Sequence, residues 1–144
     1  MKHLKSLAIL VLITALLLAA CAPQAAQAVA LKATGNIAAE KGWSVDQLKA
    51  LGTMEADYTD KEGVTETFTG VSIAKLLEAA GANEGATAVV FVADDGFTSE
   101  VTMEEVKACA DCIVAFNDDG TLRVVMPGFS GKQQVKGVIE IQVK

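Results

Sequence analysis

Histidine is almost missing from this chain: the single one among 144 residues is His3. Catalysis by Ser-His-Asp or Cys-His sets is therefore excluded, as are zinc sites with His ligands and His-ligated haem. Arginine is equally scarce, with Arg123 alone. The whole chain has 12 Lys+Arg against 18 Asp+Glu, a net charge of −6. Setting aside residues 1–20, which hold Lys2 and Lys5 and no acid, leaves 10 basic and 18 acidic groups, or −8. Phosphate-backbone recognition needs dense Lys/Arg, so no nucleic-acid partner is expected. Three cysteines, one tryptophan and one tyrosine complete the short supply.

What is abundant at the start is hydrophobicity. Met1–Lys5 is a short basic region, and Leu7–Leu18 is apolar apart from Thr14. The run is too short for a comfortable span, which needs about 20 residues; it has the length and flanks of a secretory signal. Leu18-Ala19-Ala20-Cys21 resembles the lipobox of bacterial lipoproteins. That resemblance implies acylation of Cys21, which becomes the first mature residue, and two or more acyl chains suffice for stable anchoring. The alternative is an ordinary signal cut after Ala20. The expected organisation is a signal at 1–20, a lipid-anchored tether at 21–28 and one domain at 29–144. The expected address is extracytoplasmic, on the cell membrane or on an outer membrane where there is one. Ala22 is not Asp, so nothing marks inner-membrane retention.

The domain reads as α+β. Val29–Gly35 alternates loosely as a first strand. Ser44 and Gln47 have capping-box spacing and open a short helix to Leu51. Thr53–Tyr58 and Val64–Thr69 flank Asp60-Lys-Glu-Gly63 as a hairpin. Ser72 is expected to cap a helix whose Ile73, Leu76, Leu77 and Ala80 share a face. Ala88–Ala93 is a strand buried on both faces, turned by Asp94-Asp-Gly96 into Phe97–Val101. Thr102 and Glu105 open a third helix, ending near Ala110. Ile113–Phe116 and Leu122–Met126 flank the turn Asn117–Gly120. Val135–Val143 is expected as one alternating strand with Val135, Gly137, Ile139, Ile141 and Val143 on one face. About eight strands and three short helices result.

The order of these motifs resembles the oxidoreductase molybdopterin-binding domain of the sulfite oxidase family. The stretch Leu122-Arg-Val-Val-Met-Pro-Gly-Phe-Ser-Gly131, followed by Val135-Lys-Gly-Val138, is similar to the family's Leu-Arg-x-x-x-Pro-Gly, then Gly, then Val-Lys. Thr69-Gly-Val-Ser-Ile-Ala-Lys-Leu-Leu77 and Phe91-Val-Ala-Asp-Asp-Gly-Phe97 match two further patterns. The resemblance implies a mixed, mainly antiparallel fold of the sulfite-oxidase type, surrounding a pterin cofactor. It also implies a molybdenum-binding cysteine thiolate ahead of the Thr-Gly-Val helix, and often a histidine at the cofactor phosphate. Here Thr53–Phe68 contains no Cys, and no His follows His3. A soft thiolate has no substitute among the residues present there.

Arg123 falls on the family's Arg position, and strand alternation sets it opposite Leu122 and Val124. Its planar five-donor group suits bidentate capture of phosphate or carboxylate; the alternative is a surface arginine paired with an acid. Gly128, Gly131, Lys132 and Lys136 could complete an anion or cofactor site, or else form a tight turn before the last strand. Gly-Phe-Ser-Gly-Lys132 is not a P-loop, because its spacing is too short. Cys109-Ala-Asp-Cys112 falls at a helix C-terminus beside Asp111, which opposes a reactive thiolate; a local disulfide or two buried thiols are expected. The acidic turns at Asp94 and Asn117 lack EF-hand spacing. Trp43 and Tyr58 are read as core or rim. The leading expectation is a membrane-anchored, non-catalytic module binding a small anionic ligand or a protein partner, with no cofactor. The competing one is an enzyme, a molybdopterin oxidoreductase or electron-transfer subunit holding its cofactor noncovalently; thiol exchange at Cys109 and Cys112 is a third.

Overall fold

The computed structural model describes residues 27–144. The expected signal, the lipidation residue Cys21 and nearly all of the tether lie outside the described residues. Nine strands form: β1 (Leu31–Gly35), β2 (Lys41–Trp43), β3 (Met54–Thr59), β4 (Thr65–Ser72), β5 (Ala88–Ala93), β6 (Thr98–Thr102), β7 (Ile113–Phe116), β8 (Leu122–Val125) and β9 (Val138–Val143). Among the described residues three short helices join them: α1 (Val45–Ala50), α2 (Ile73–Ala80) and α3 (Met103–Ala108). One sheet runs β2-β1-β9-β5-β6 and the other β3-β4-β7-β8. All pairs are antiparallel except β1 with β9. The architecture is α+β, with two mainly antiparallel sheets, and agrees with the expectation.

Local chemistry explains the helix starts. The side chains of Ser44 and Thr102 accept the backbone N–H groups of Gln47 and Glu105, and those residues reach back to the cap backbone, closing two capping boxes. Ser72 occupies the N-cap position before α2, but its side chain makes no capping bond, which corrects the sequence reading. The Ile73 N–H is taken by the Cys112 carbonyl across the sheet instead, at 3.0 Å. Ile73, Leu76, Leu77 and Ala80 are buried as a stripe. They join Leu31, Val71, Phe91, Val124 and Ile141 in the main core between the sheets.

The last strand differs from its predicted form. It begins at Val138, and Val135 belongs to a separate approach in which the Val124 N–H donates to the Val135 carbonyl. Gly137 sits at φ +64°, a left-handed conformation that turns the chain between the two. Against β5 the register then shifts: Phe91 faces Ile141, Val92 faces Glu140, and Ala93 faces Val138. Ile139 is the extra residue of this bulge and is 46% exposed, whereas Val138 is buried. Strict alternation from Val135 to Val143 therefore fails. The three-residue β2 was not anticipated either; it is too short to show a period.

The four-stranded sheet has two covered faces. Val71, Val114, Leu122 and Val124 point into the main core. On the other face Ala56, Ile113, Ala115 and Val125 form a second buried cluster, with Met54, Tyr58 and Phe68 packed on it. Ala56 of β3 joins this cluster with residues of β7 and β8, strands that β3 does not pair with.

Candidate functional site

Arg123 lies at the second position of β8, opposite Ala115 of β7. Its neighbours Leu122 and Val124 enter the main core, so alternation sends Arg123 to the outer face. There Phe68 of β4 supplies a platform, with the guanidinium carbon 4.3 Å from the ring centroid. On its other side β8 meets Lys136, its antiparallel bridge partner. Facing residues of such a pair project from the same face, so two cations stand side by side. Neither is in an ion pair among the described residues, where the ion pair is Lys144 with Glu100. The Arg123 Nε is buried and has no hydrogen-bond partner among the described residues. A stacked guanidinium with an unsatisfied donor and a like-charged neighbour is prepared to receive an anion.

The loop after β8 is held from within. The Gln134 side chain clamps Met126, accepting its N–H at 2.9 Å and donating to its carbonyl at 2.6 Å. Gly128 follows Pro127 at φ +79° in a turn closed by the Phe129 N–H on the Met126 carbonyl. Gly131 and Lys132 belong to a 3-10 turn (Gly131–Gln133), and Lys132 is exposed. The structure brings Arg123 and Lys136 together; no hydrogen bond or ion pair among the described residues joins Gly128, Gly131 or Lys132 to them. Phe68 and Gln134 were missed by sequence reasoning. Phe68 acts across two strands from Arg123, and Gln134 across a loop, and neither relation leaves a local period.

Cys109 is the C-cap that follows α3 and is disulfide-bonded to Cys112, with Cα atoms 5.5 Å apart. Cys109 is half-buried and Cys112 is 1% exposed. Nearby, Glu105 accepts the Thr102 N–H and hydroxyl, which hold its carboxyl below the usual range. Asp119 is lowered in the same direction by the Thr121 hydroxyl and N–H. The Asp119 case is turn chemistry. Trp43 is in the core with Lys41 over its ring, and Tyr58 flanks the second cluster.

The model of the oxidoreductase molybdopterin binding domain matches residues 18–144, most of the chain. The chain belongs to this family. Among solved structures the molybdopterin-binding domain described here is similar to the sulfane dehydrogenase SoxCD from Paracoccus pantotrophus, at 18% identity and a TM-score of 0.64. The match covers 78% of this chain and 37% of that one, so the domain spans just over a third of the chain it resembles. No curated protein matches it.

The family implies molybdenum held through a cysteine thiolate, and the residues present do not fit that mode of attachment. The segment Thr53–Phe68 is the β3–β4 hairpin and carries no sulfur donor except Met54. Both cysteines of the described domain are consumed in the disulfide. No group of three or more His, Cys, Asp or Glu among the described residues could hold a metal ion. The cavity beside the hairpin, ≈ 500 Å³, is lined by Glu55, Ala56, Asp57, Thr67, Asp111 and Pro127, without a cation to meet a cofactor phosphate. The fold of the family is retained while its sulfur attachment is not.

Proposed function

We propose that this protein is a lipid-anchored, extracytoplasmic binding module in which the molybdopterin-binding fold captures a small oxyanion, or a carboxylate of a partner, at Arg123 and Lys136. The observation that carries this reading is the partly buried Arg123: stacked on Phe68, lacking a partner at Nε, and faced by a second cation. A bound tetrahedral or planar anion would satisfy the guanidinium and relieve the repulsion together. Gly128, Gly131 and Lys132 would border the site rather than form it. Anchoring rests on the lipobox-like Leu18-Ala-Ala-Cys21. The chain enters the domain at Gln27, whose side chain bonds Asp46 and Ser44 at the start of α1, so little free length separates Cys21 from the folded surface.

Inorganic phosphate and sulfate are the probes. Either should raise the melting temperature of the full-length chain and should fail to do so in Arg123→Met. Release of Cys21→Ala from the membrane fraction tests the anchor separately. Molybdenum or tungsten near one equivalent, with oxidised pterin fluorescence, in protein from its own host would replace this reading by the oxidoreductase one.

A further inference from the structure

Among the described residues β3 is an edge strand that pairs only with β4. Beyond Gly70 the arm is two-stranded, because β7 reaches only Gly70–Ser72 of β4. A two-stranded ribbon is marginal in water and gains from a third strand. Exposed edges are ordinarily blunted by charged side chains, Pro, a bulge or a covering segment; here the charges, Glu55 and Asp57, are of one sign, so they repel an acidic or identical strand and not a basic one. β3 contains no Lys or Pro, and its register with β4 is unbroken from Met54 to Thr59. It carries Glu55 and Asp57 on one face and Met54, Ala56 and Tyr58 on the other.

That pattern excludes a second copy of this chain as the occupant. A two-fold axis normal to the sheet pairs residues of the same face. Centred on Ala56, it sets Glu55 against Asp57 of the other copy, twice. Centred on Asp57, it sets that carboxylate against itself. Every other register of this kind overlaps about three residues or fewer, below the usual strand length. Like charges directly opposite are destabilising.

The groove alongside is acidic in the same sense. Glu55 and Asp57 line it with Asp111 and Pro127, and those last two also line a second cavity of ≈ 430 Å³ that continues to Phe129, Cys109 and Glu105. None of these four carboxylates is in an ion pair among the described residues. We infer that the β3 edge takes an extended segment of a partner protein in which basic and apolar residues alternate, adding as a fifth strand to the four-stranded sheet. Its basic side chains lie against Glu55 and Asp57, and its apolar ones extend the Met54, Ala56, Tyr58 and Phe68 surface. This surface shares Phe68 with the anion site but uses neither Arg123 nor Lys136, so variants at Glu55 and Asp57 test it apart from variants at Arg123.

The test uses the full-length chain in detergent micelles and a capped seven-residue peptide alternating valine and lysine, with a valine–glutamate peptide as control. The lysine peptide should slow amide exchange in Met54–Thr59 and leave β8 unchanged. The double variant Glu55→Lys/Asp57→Lys should reverse the preference, weakening the lysine peptide by about tenfold and admitting the glutamate one. Glu55→Lys alone sets a cation opposite Asp57 of a second copy, and should create a dimer in density-matched sedimentation. Absence of binding up to about 1 mM, corresponding to about 4 kcal/mol, protection outside β3, or equal binding to the double variant would overturn the inference. So would a wild-type dimer whose β3 amides are protected without peptide.

Discussion

Replacing Arg123 by Met removes the guanidinium and keeps an unbranched stem over Phe68. Three local terms change. The cation–π contact, at 4.3 Å, is lost, costing about 0.5–1 kcal/mol, and a sulfur–aromatic contact returns a comparable amount. The buried Nε donor without a partner disappears, relieving about 1–3 kcal/mol. The repulsion with the facing Lys136 also ends, a gain of a few tenths of a kcal/mol to about 1. Without anions the variant should therefore be more stable, by about 1–2 kcal/mol after partial relaxation of the wild-type site, or roughly 4–8 °C in Tm for a domain of this size. Phosphate at about 100 times its Kd should stabilise the wild-type protein by about 2.7 kcal/mol and the variant not at all. The order of stabilities then reverses between the two buffers. Differential scanning calorimetry in low-salt buffer, with and without phosphate, reads both. A variant that is less stable in anion-free buffer would show that Arg123 already has a protein partner, and the binding argument would fall.

Reduction of the Cys109–Cys112 bond opens a loop of sequence separation 3; the loop-entropy relation gives about 2 kcal/mol, so Tm should drop by about 8 °C in reductant, and an unchanged Tm would show that the bond does not constrain the unfolded chain. Gly137→Ala places a Cβ 2.6 Å from Asp94 Oδ1 at φ +64°; a loss of about 1–2 kcal/mol is expected by urea titration. Glu105 has a depressed folded-state pKa, so its stabilising contribution is present above the unfolded value and is lost as pH falls through the folded one. Glu105→Gln should therefore lower Tm at neutral pH and converge with wild type in acid; a constant gap across that range would refute the linkage.

Much of the fold is legible in local sequence because its causes are local. Capping boxes at Ser44 and Thr102 act within four residues, and the stripe Ile73, Leu76, Leu77 and Ala80 follows from the helical period. The hairpin turn at Asp60–Gly63 is equally local: the Asp60 side chain accepts the Glu62 and Val64 N–H groups. The motif order identified the family, and the missing thiolate between Thr53 and Phe68 was visible as an absence in the chain itself.

Relations between distant residues were decided only when the strands met. The bulge at Ile139 depends on how β9 fits β5, and Gly137 alone did not announce it. The outward direction of Arg123 follows from alternation, but its ring partner Phe68, its facing cation Lys136 and its want of an ion pair among the described residues depend on strand order. The same holds for β3: its two carboxylates are an ordinary polar face in the sequence, and became a charged edge because no described strand pairs on that side. Periodicity and caps encode which way each side chain points relative to its own backbone. What it then meets is set by long-range packing, for which one chain of letters carries no distance.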